Sequence, residues 1–203
     1  MVSTLVLAAA AAGQTARVPT NGVIAFVRGP YVYLVPARGG VARRLTPLPK
    51  RGHLESQGFN EPAWSADGKR LALGYTSNDP HEYDEIDVIQ ANGRGRRDVL
   101  NGGGNSGTTD YYPTEPAWSP SGRFIAYRAG GDCTSLYIVD VATGRSHALT
   151  RTGCSFSKPR RDTEPTWSPD GSEIAFVRTP DFDQGPGQLF AIHPDGSGLR
   201  LLT

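Results

Sequence analysis

Carboxylates are the residues of this chain best placed to do chemistry, because they recur in register. Glu61, Glu115 and Glu164 each open the same phrase, Glu-Pro-x-Trp-Ser, at spacings of 54 and 49 residues. A partial ring of such carboxylates at the mouth of a channel would hold a cation, a water or a basic side chain from a partner. The alternative is that each accepts hydrogen bonds from loop amides and fixes where its strand begins. A second acidic group is not repeated: Asp79, Glu82, Asp84, Glu85 and Asp87 crowd one segment, with His81 and Tyr83 among them. Oxygen ligands of this kind suit calcium, but no spaced calcium-loop motif is present. The segment therefore reads as an exposed acidic loop, with no metal site assigned. Asp87 is a special case, because it stands where the other copies carry an aromatic core residue, and an acid there must be paired, hydrated or bound to a cation.

Catalysis finds little support. His53, His81 and His193 follow no metal-ligand pattern, and His147 falls in an outer strand. Gly104-Asn105-Ser106-Gly107 lacks the final glycine and the strand-to-helix setting of a nucleophile elbow. No catalytic residue and no cofactor is assigned; enzymatic activity is left open, with the balance against it.

The elements that must position these residues follow from the repeat itself. EPAWSADGKRLALGY from Glu61, EPAWSPSGRFIAYRA from Glu115 and EPTWSPDGSEIAFVR from Glu164 each read as a short strand, a tight turn and a second strand. Asp-Gly tolerates the positive φ angles that such a turn demands. In the last copy a third strand follows over 188–193 and a fourth over 199–203. Residues 23–28, 31–35 and 42–46 supply strands two to four of an earlier, partial copy. The expected class is all-β, with units at 21–46, 61–100, 115–150 and 164–203. Four antiparallel strands per unit describe a propeller blade.

Alternation explains why the units stack. Large residues at Ile24 and Phe26, Leu71 and Leu73, Ile125 and Tyr127, and Ile174 and Phe176 flank Ala25, Ala72, Ala126 and Ala175. Each sheet thus has a bulky face and a shallow one, and bulky faces nest in shallow ones. Trp64, Trp118 and Trp167 fill the wedges between them rather than forming a ligand box.

These residues resemble the TolB-type, WD-like propeller repeat, whose Trp-Ser-Pro-Asp-Gly, Ile-Ala-Phe and closing Arg-Leu-Thr are matched by 167–171, 174–176 and 201–203. The resemblance covers 21–203 and does not include the N-terminal domain of TolB itself. It implies a ring that is usually six-bladed and closes by a strand borrowed from the opposite terminus, so about four blades suggest a fragment of a larger ring. A four-bladed ring and closure by self-association are the alternatives.

Loop lengths divide the two ends of the array. Turns after strands one and three are short, whereas the connections 47–60, 77–84, 101–114, 153–163 and 179–187 are long and unlike one another. Strand alternation sends all the long ones to one end, where binding is expected. Cys133 and Cys154, the only two cysteines, should both lie there, which makes a disulfide physically possible; two free thiols are the alternative, and without a His pair they make a poor zinc site. Phe59, Tyr83, Tyr111, Tyr112 and Phe156 are the expected aromatic anchors at that end, with Asp84, Asp87 and the three repeat glutamates for orientation.

The 203 residues are 37% hydrophobic and 20% charged, with net charge +1, 25 Gly and 16 Pro. That balance gives no reason to expect nucleic acid. The longest apolar run, 5–12, is less than half of what a membrane-spanning helix needs, and 1–16 reads as an export signal. The expected location is periplasmic or extracellular. The expected function is a non-catalytic scaffold that binds a protein or cell-envelope component. The alternative is the propeller portion of a polysaccharide lyase or prolyl-oligopeptidase-type peptidase.

Overall fold

The computed structural model describes residues 22–47, 58–76, 85–101, 113–131, 133–150, 160–180 and 186–203. They form fifteen strands in four antiparallel sheets, each following chain order. Blade one holds β1 (Val23–Arg28), β2 (Tyr31–Pro36) and β3 (Arg43–Arg44). Blade two holds β4 (Gly58–Trp64), β5 (Arg70–Thr76), β6 (Glu85–Gln90) and β7 (Arg97–Asn101). Blade three holds β8 (Thr114–Trp118), β9 (Phe124–Ala129), β10 (Ser135–Asp140) and β11 (Ser146–Ala148), and blade four β12 (Arg160–Trp167), β13 (Ile174–Pro180), β14 (Gln188–Ile192) and β15 (Arg200–Leu201). Among the described residues no helix is long and apolar enough to cross a membrane.

The repeated phrases have local physical causes. In Ser168-Pro169-Asp170-Gly171 the Ser168 hydroxyl donates to Asp170 Oδ1 at 2.6 Å and accepts from the Glu173 amide at 3.0 Å, while Asp170 also accepts from the Ser172 amide at 3.0 Å. Ser65 and Asp67 build the same turn in blade two. The Ser168 hydrogen bond, followed by those from Ser172, holds the Asp170 carboxyl down at about 2. A carboxylate whose pKa is depressed on folding stabilises above its unfolded pKa and ceases to do so as pH falls through the folded one. Asp170→Ala should therefore be less stable than the parent near neutrality, with the deficit shrinking between about pH 4 and pH 2 in urea titrations. A deficit unchanged at the acid end would mean that the charge is not what stabilises the turn.

The closing Leu-Thr of blades one and three is equally local. Thr46 and Thr150 are buried, and their hydroxyls accept from the Val32 and Leu136 amides at 3.0 and 2.9 Å, which ties the outer end of the sheet to strand three. The turn glycine after strand three packs on the blade before it. Gly144, at φ 69°, would place a Cβ 3.2 Å from the Val99 carbonyl oxygen, so glycine is required there for conformation and for space.

Apolar cores lie between the sheets, not within them. Leu71, Leu73 and Ile89 of blade two pack on Val32 and Leu34 of blade one with Trp64 beside them. Trp118, Ile125 and Tyr127 of blade three pack on Ile86, Val88 and Val99 of blade two, and Trp167 joins Ile174 and Phe176 against Leu136 and Ile138. Every Trp thus sits in the wedge against the preceding blade, as its repeat position predicts. The blades stack in chain order, and the array of described residues is open: Ile24 and Val27 on blade one and Leu199 and Leu201 on blade four remain solvent-facing.

Candidate functional site

The three repeat glutamates do not begin their strands. They lie inside them, at a bulge where Glu-Pro stands opposite one residue of strand two: Leu73, Tyr127 or Phe176. Proline has no amide to give to a ladder, so a bulge is where it can be tolerated in an inner strand. Glu61, Glu115 and Glu164 have φ of 46°, 54° and 54°, and among the described residues no other non-glycine residue has a positive φ. Such backbone costs energy and persists only where surroundings hold it. The surroundings are the neighbouring blade. The Glu115 amide donates to Glu61 Oε2 at 2.5 Å, and the Glu164 amide donates to Glu115 Oε2 at 2.6 Å. At Glu115 the bulge turns the amide toward blade two and the carboxylate toward blade four, giving a hydrogen-bonded relay along the inner edge of the array.

Burial pushes the Glu115 carboxyl up; the bond from Glu164 and the nearby Arg128, whose Nε lies 3.4 Å from Oε1, act against it. Glu61 and Glu164 add like charge. Two of the three carboxylates are therefore engaged in stapling blades together. Among the described residues the Glu164 carboxylate has no such amide, which leaves it the most available of the three.

Blade two carries the second polar constellation. Asp87 on β6 is fully buried, opposite Leu73 on β5 and Asp98 on β7. Its counterparts Tyr33, Tyr137 and Phe190 stack on a strand-two ring at 5.8, 5.6 and 5.8 Å. Here Arg96 takes over: its Nε donates to Asp87 Oδ2 at 2.6 Å, and its guanidinium lies 4.7 Å from the Phe59 ring centre and 5.6 Å from that of Tyr75. Desolvation is the main cause that raises the Asp87 carboxyl to about 7; contact with Asp98 adds to it and Arg96 opposes it.

That arrangement corrects one expectation. Phe59 is not a loop anchor, because β4 begins at Gly58 and carries Phe59 into the core at 1% exposure, 5.1 Å from the Tyr75 ring. Other expected residues, namely the leader 1–16, Tyr83, Asp84, Tyr111, Tyr112, Cys154 and Phe156, lie outside the described residues. Cys133 is disulfide-bonded. It immediately precedes Thr134, which makes a parallel bridge to Arg161 of the next blade and whose hydroxyl donates to the Asp162 carbonyl at 3.0 Å.

Three polar residues went unnoticed in the sequence. Asp98 and Arg96 gain meaning only through the register of β6 against β7. Asp162 is fully buried and holds Arg178 in a two-pronged pair at 2.7 and 2.8 Å, with that guanidinium over Phe176 and Phe190. At the tight-turn end, a surface depression of about 560 Å³ is lined by Asp67, Lys69, Arg70, Gln90 and Asn92 and collects no buried titratable group.

Stacked four-stranded antiparallel sheets, wedge tryptophans and an inner relay define the class: a β-propeller array. Its particular form is TolB-like. Similar solved structures include TolB from Acinetobacter baumannii, at 15% identity and TM-score 0.50, covering 91% of this chain and 53% of that one. A prolyl endopeptidase is similar at 16% identity and TM-score 0.59, covering 91% and 30%. An oligogalacturonate lyase in complex with manganese is similar at 16% and 0.57, covering 84% and 45%. The likeness is one of fold, and this chain spans about half the length of the TolB chain and less of the other two. No protein-family model and no curated protein matches the chain.

Proposed function

We propose that the protein is an exported propeller scaffold that binds a protein or cell-envelope partner through its long-loop end. The observation that supports this most is the division of labour between the two ends. In blades two to four the strand ends that flank 77–84, 102–113 and 181–187 point to one end, and short hydrogen-bonded turns such as Ser65–Gly68 and Ser168–Gly171 fall at the other, which supports grouping the long connections together. Stapling of Glu61 and Glu115 leaves recognition to the loops and to Glu164, so Tyr83, Asp84, Tyr111, Tyr112 and Phe156 are the contact residues of this reading. A photo-crosslinking side chain at Tyr111 should form adducts with an envelope component, and one at Asn92 on the tight-turn end should not. Adducts from Asn92 alone would reverse the assignment.

Export accords with pairing of Cys133 to Cys154, which needs an oxidising compartment. Closing that loop is worth about 2–4 kcal/mol. Reduction with dithiothreitol should lower the melting temperature, and Cys154→Ser should abolish the response; an equal response in the variant would rule the pairing out. A second reading, as the propeller portion of a peptidase or polysaccharide lyase, draws on the likeness to the prolyl endopeptidase and the oligogalacturonate lyase. Saturable binding of a prolyl peptide or an oligogalacturonate by the purified chain, with no envelope component captured, would favour it.

A further inference from the structure

Asp87 has one carboxylate oxygen, Oδ2, on Arg96, and the other, Oδ1, is buried without any hydrogen-bond donor. Facing it is Asp98, close enough for a carboxyl-to-carboxyl contact, and Glu85 two residues back on the same face of β6. Ligand oxygens of the three residues all lie within 4.8 Å of one another. Oxygens bound to one calcium at about 2.3–2.6 Å are at most about 5 Å apart, so the cluster has the right span for a single ion. Carboxylates brought together in this way need something positive between them. The candidates are a shared proton and a cation.

Geometry decides between them. Arg96 faces the cluster, at 2.6 Å from Asp87 and 3.8 Å from Glu85. One shared proton lies between two carboxylates only, whereas one divalent cation is met by all three at once. The burial gradient also suits an ion: Asp87 is fully enclosed, Glu85 is half-buried and Asp98 is exposed, so Asp87 forms the floor and the other two the open side, where water completes the shell.

We propose that Glu85, Asp87 and Asp98 form a calcium site at the outer edge of blade two, with Asp87 Oδ1 as its buried ligand and Arg96 holding that carboxylate in place from the other side. The site rests on no loop and no partner, so it stands or falls apart from the binding role proposed above. It would join β6 to β7 just beyond the connection 77–84 and stiffen that margin of the long-loop end.

The test is calorimetric titration of the full chain with calcium alone, after chelator treatment, beside thermal melts in calcium and in chelator. The expected result is one calcium per chain at millimolar concentration or below, with a higher melting temperature in calcium. Asp98→Asn, an exposed change that leaves the fold intact, should weaken binding at least tenfold and remove most of the melting shift, with its melting temperature in chelator unchanged. Asp87→Asn should abolish binding. No calcium uptake at millimolar concentration would leave a shared proton between Asp87 and Asp98 and overturn the proposal. Uptake undiminished in Asp98→Asn would overturn it as well.

Discussion

Asp162→Ala lowers the unfolding free energy by about 3–5 kcal/mol, because it strands the Arg178 guanidinium in the core of blade four with no countercharge. Asp162 is fully buried and Arg178 nearly so, and the pair is two-pronged at 2.7 and 2.8 Å. The aromatic rings of Phe176 and Phe190 beneath the guanidinium cannot replace a carboxylate, since each cation–π contact is worth about 1–2 kcal/mol. For a chain of this size the loss corresponds to a melting temperature lower by about 10 °C. Replacing both partners, Asp162→Leu with Arg178→Leu, should recover much of the loss, as apolar substitutes for buried ion pairs commonly do. Thermal melts of the single and the double variant check this. A single variant within about 1 kcal/mol of the parent would show that the pair is solvated in solution.

Glu115→Ala is the second large effect, at about 2–3 kcal/mol. It removes the acceptor of the Glu164 amide and the partner of Arg128 while keeping a positive φ that alanine adopts no more easily. Since blades in an array contact only their neighbours, the damage should fall on the boundary between blades three and four. Hydrogen exchange should quicken first in β12 and β8, before the outer strands. Glu115→Gln keeps an acceptor oxygen and should lose less than half as much. Equal losses for Ala and Gln would mean that charge, through Arg128, and not the inter-blade hydrogen bond, is what Glu115 contributes.

Much of this fold was legible in the sequence because its determinants are local. Ser168-Pro169-Asp170-Gly171 builds its turn from its own hydroxyl and carboxylate, and Thr150 anchors its own sheet. Alternation around Ala72 and Ala126 identified the stacking faces, and both alanines are fully buried. The site was harder to read, since its determinants lie across strands and across blades. Nothing near Glu115 in sequence indicates that its carboxylate meets an amide 49 residues on, although a proline inside an inner strand is a signal for the bulge that makes this possible. Phe59 reads as a loop residue because the repeat phrase begins only at the Glu-Pro that follows it, whereas the strand begins at Gly58. Asp98 became a neighbour of Asp87 only through a register that itself shifts between Ile86 and Asp87.

In the proposed role the repeat glutamates hold the scaffold together while the loops recognise a partner. Its most direct test is a comparison of stability and partner capture in two variants, Glu115→Gln and the double change Tyr111→Ala with Tyr112→Ala, using the envelope fraction of the source cells well below the melting temperature. Glu115→Gln should melt earlier yet capture the same component as the parent, and the tyrosine variant should melt like the parent and capture nothing. Loss of capture in Glu115→Gln, with capture intact in the tyrosine variant, would contradict it and return the binding role to the ring of carboxylates.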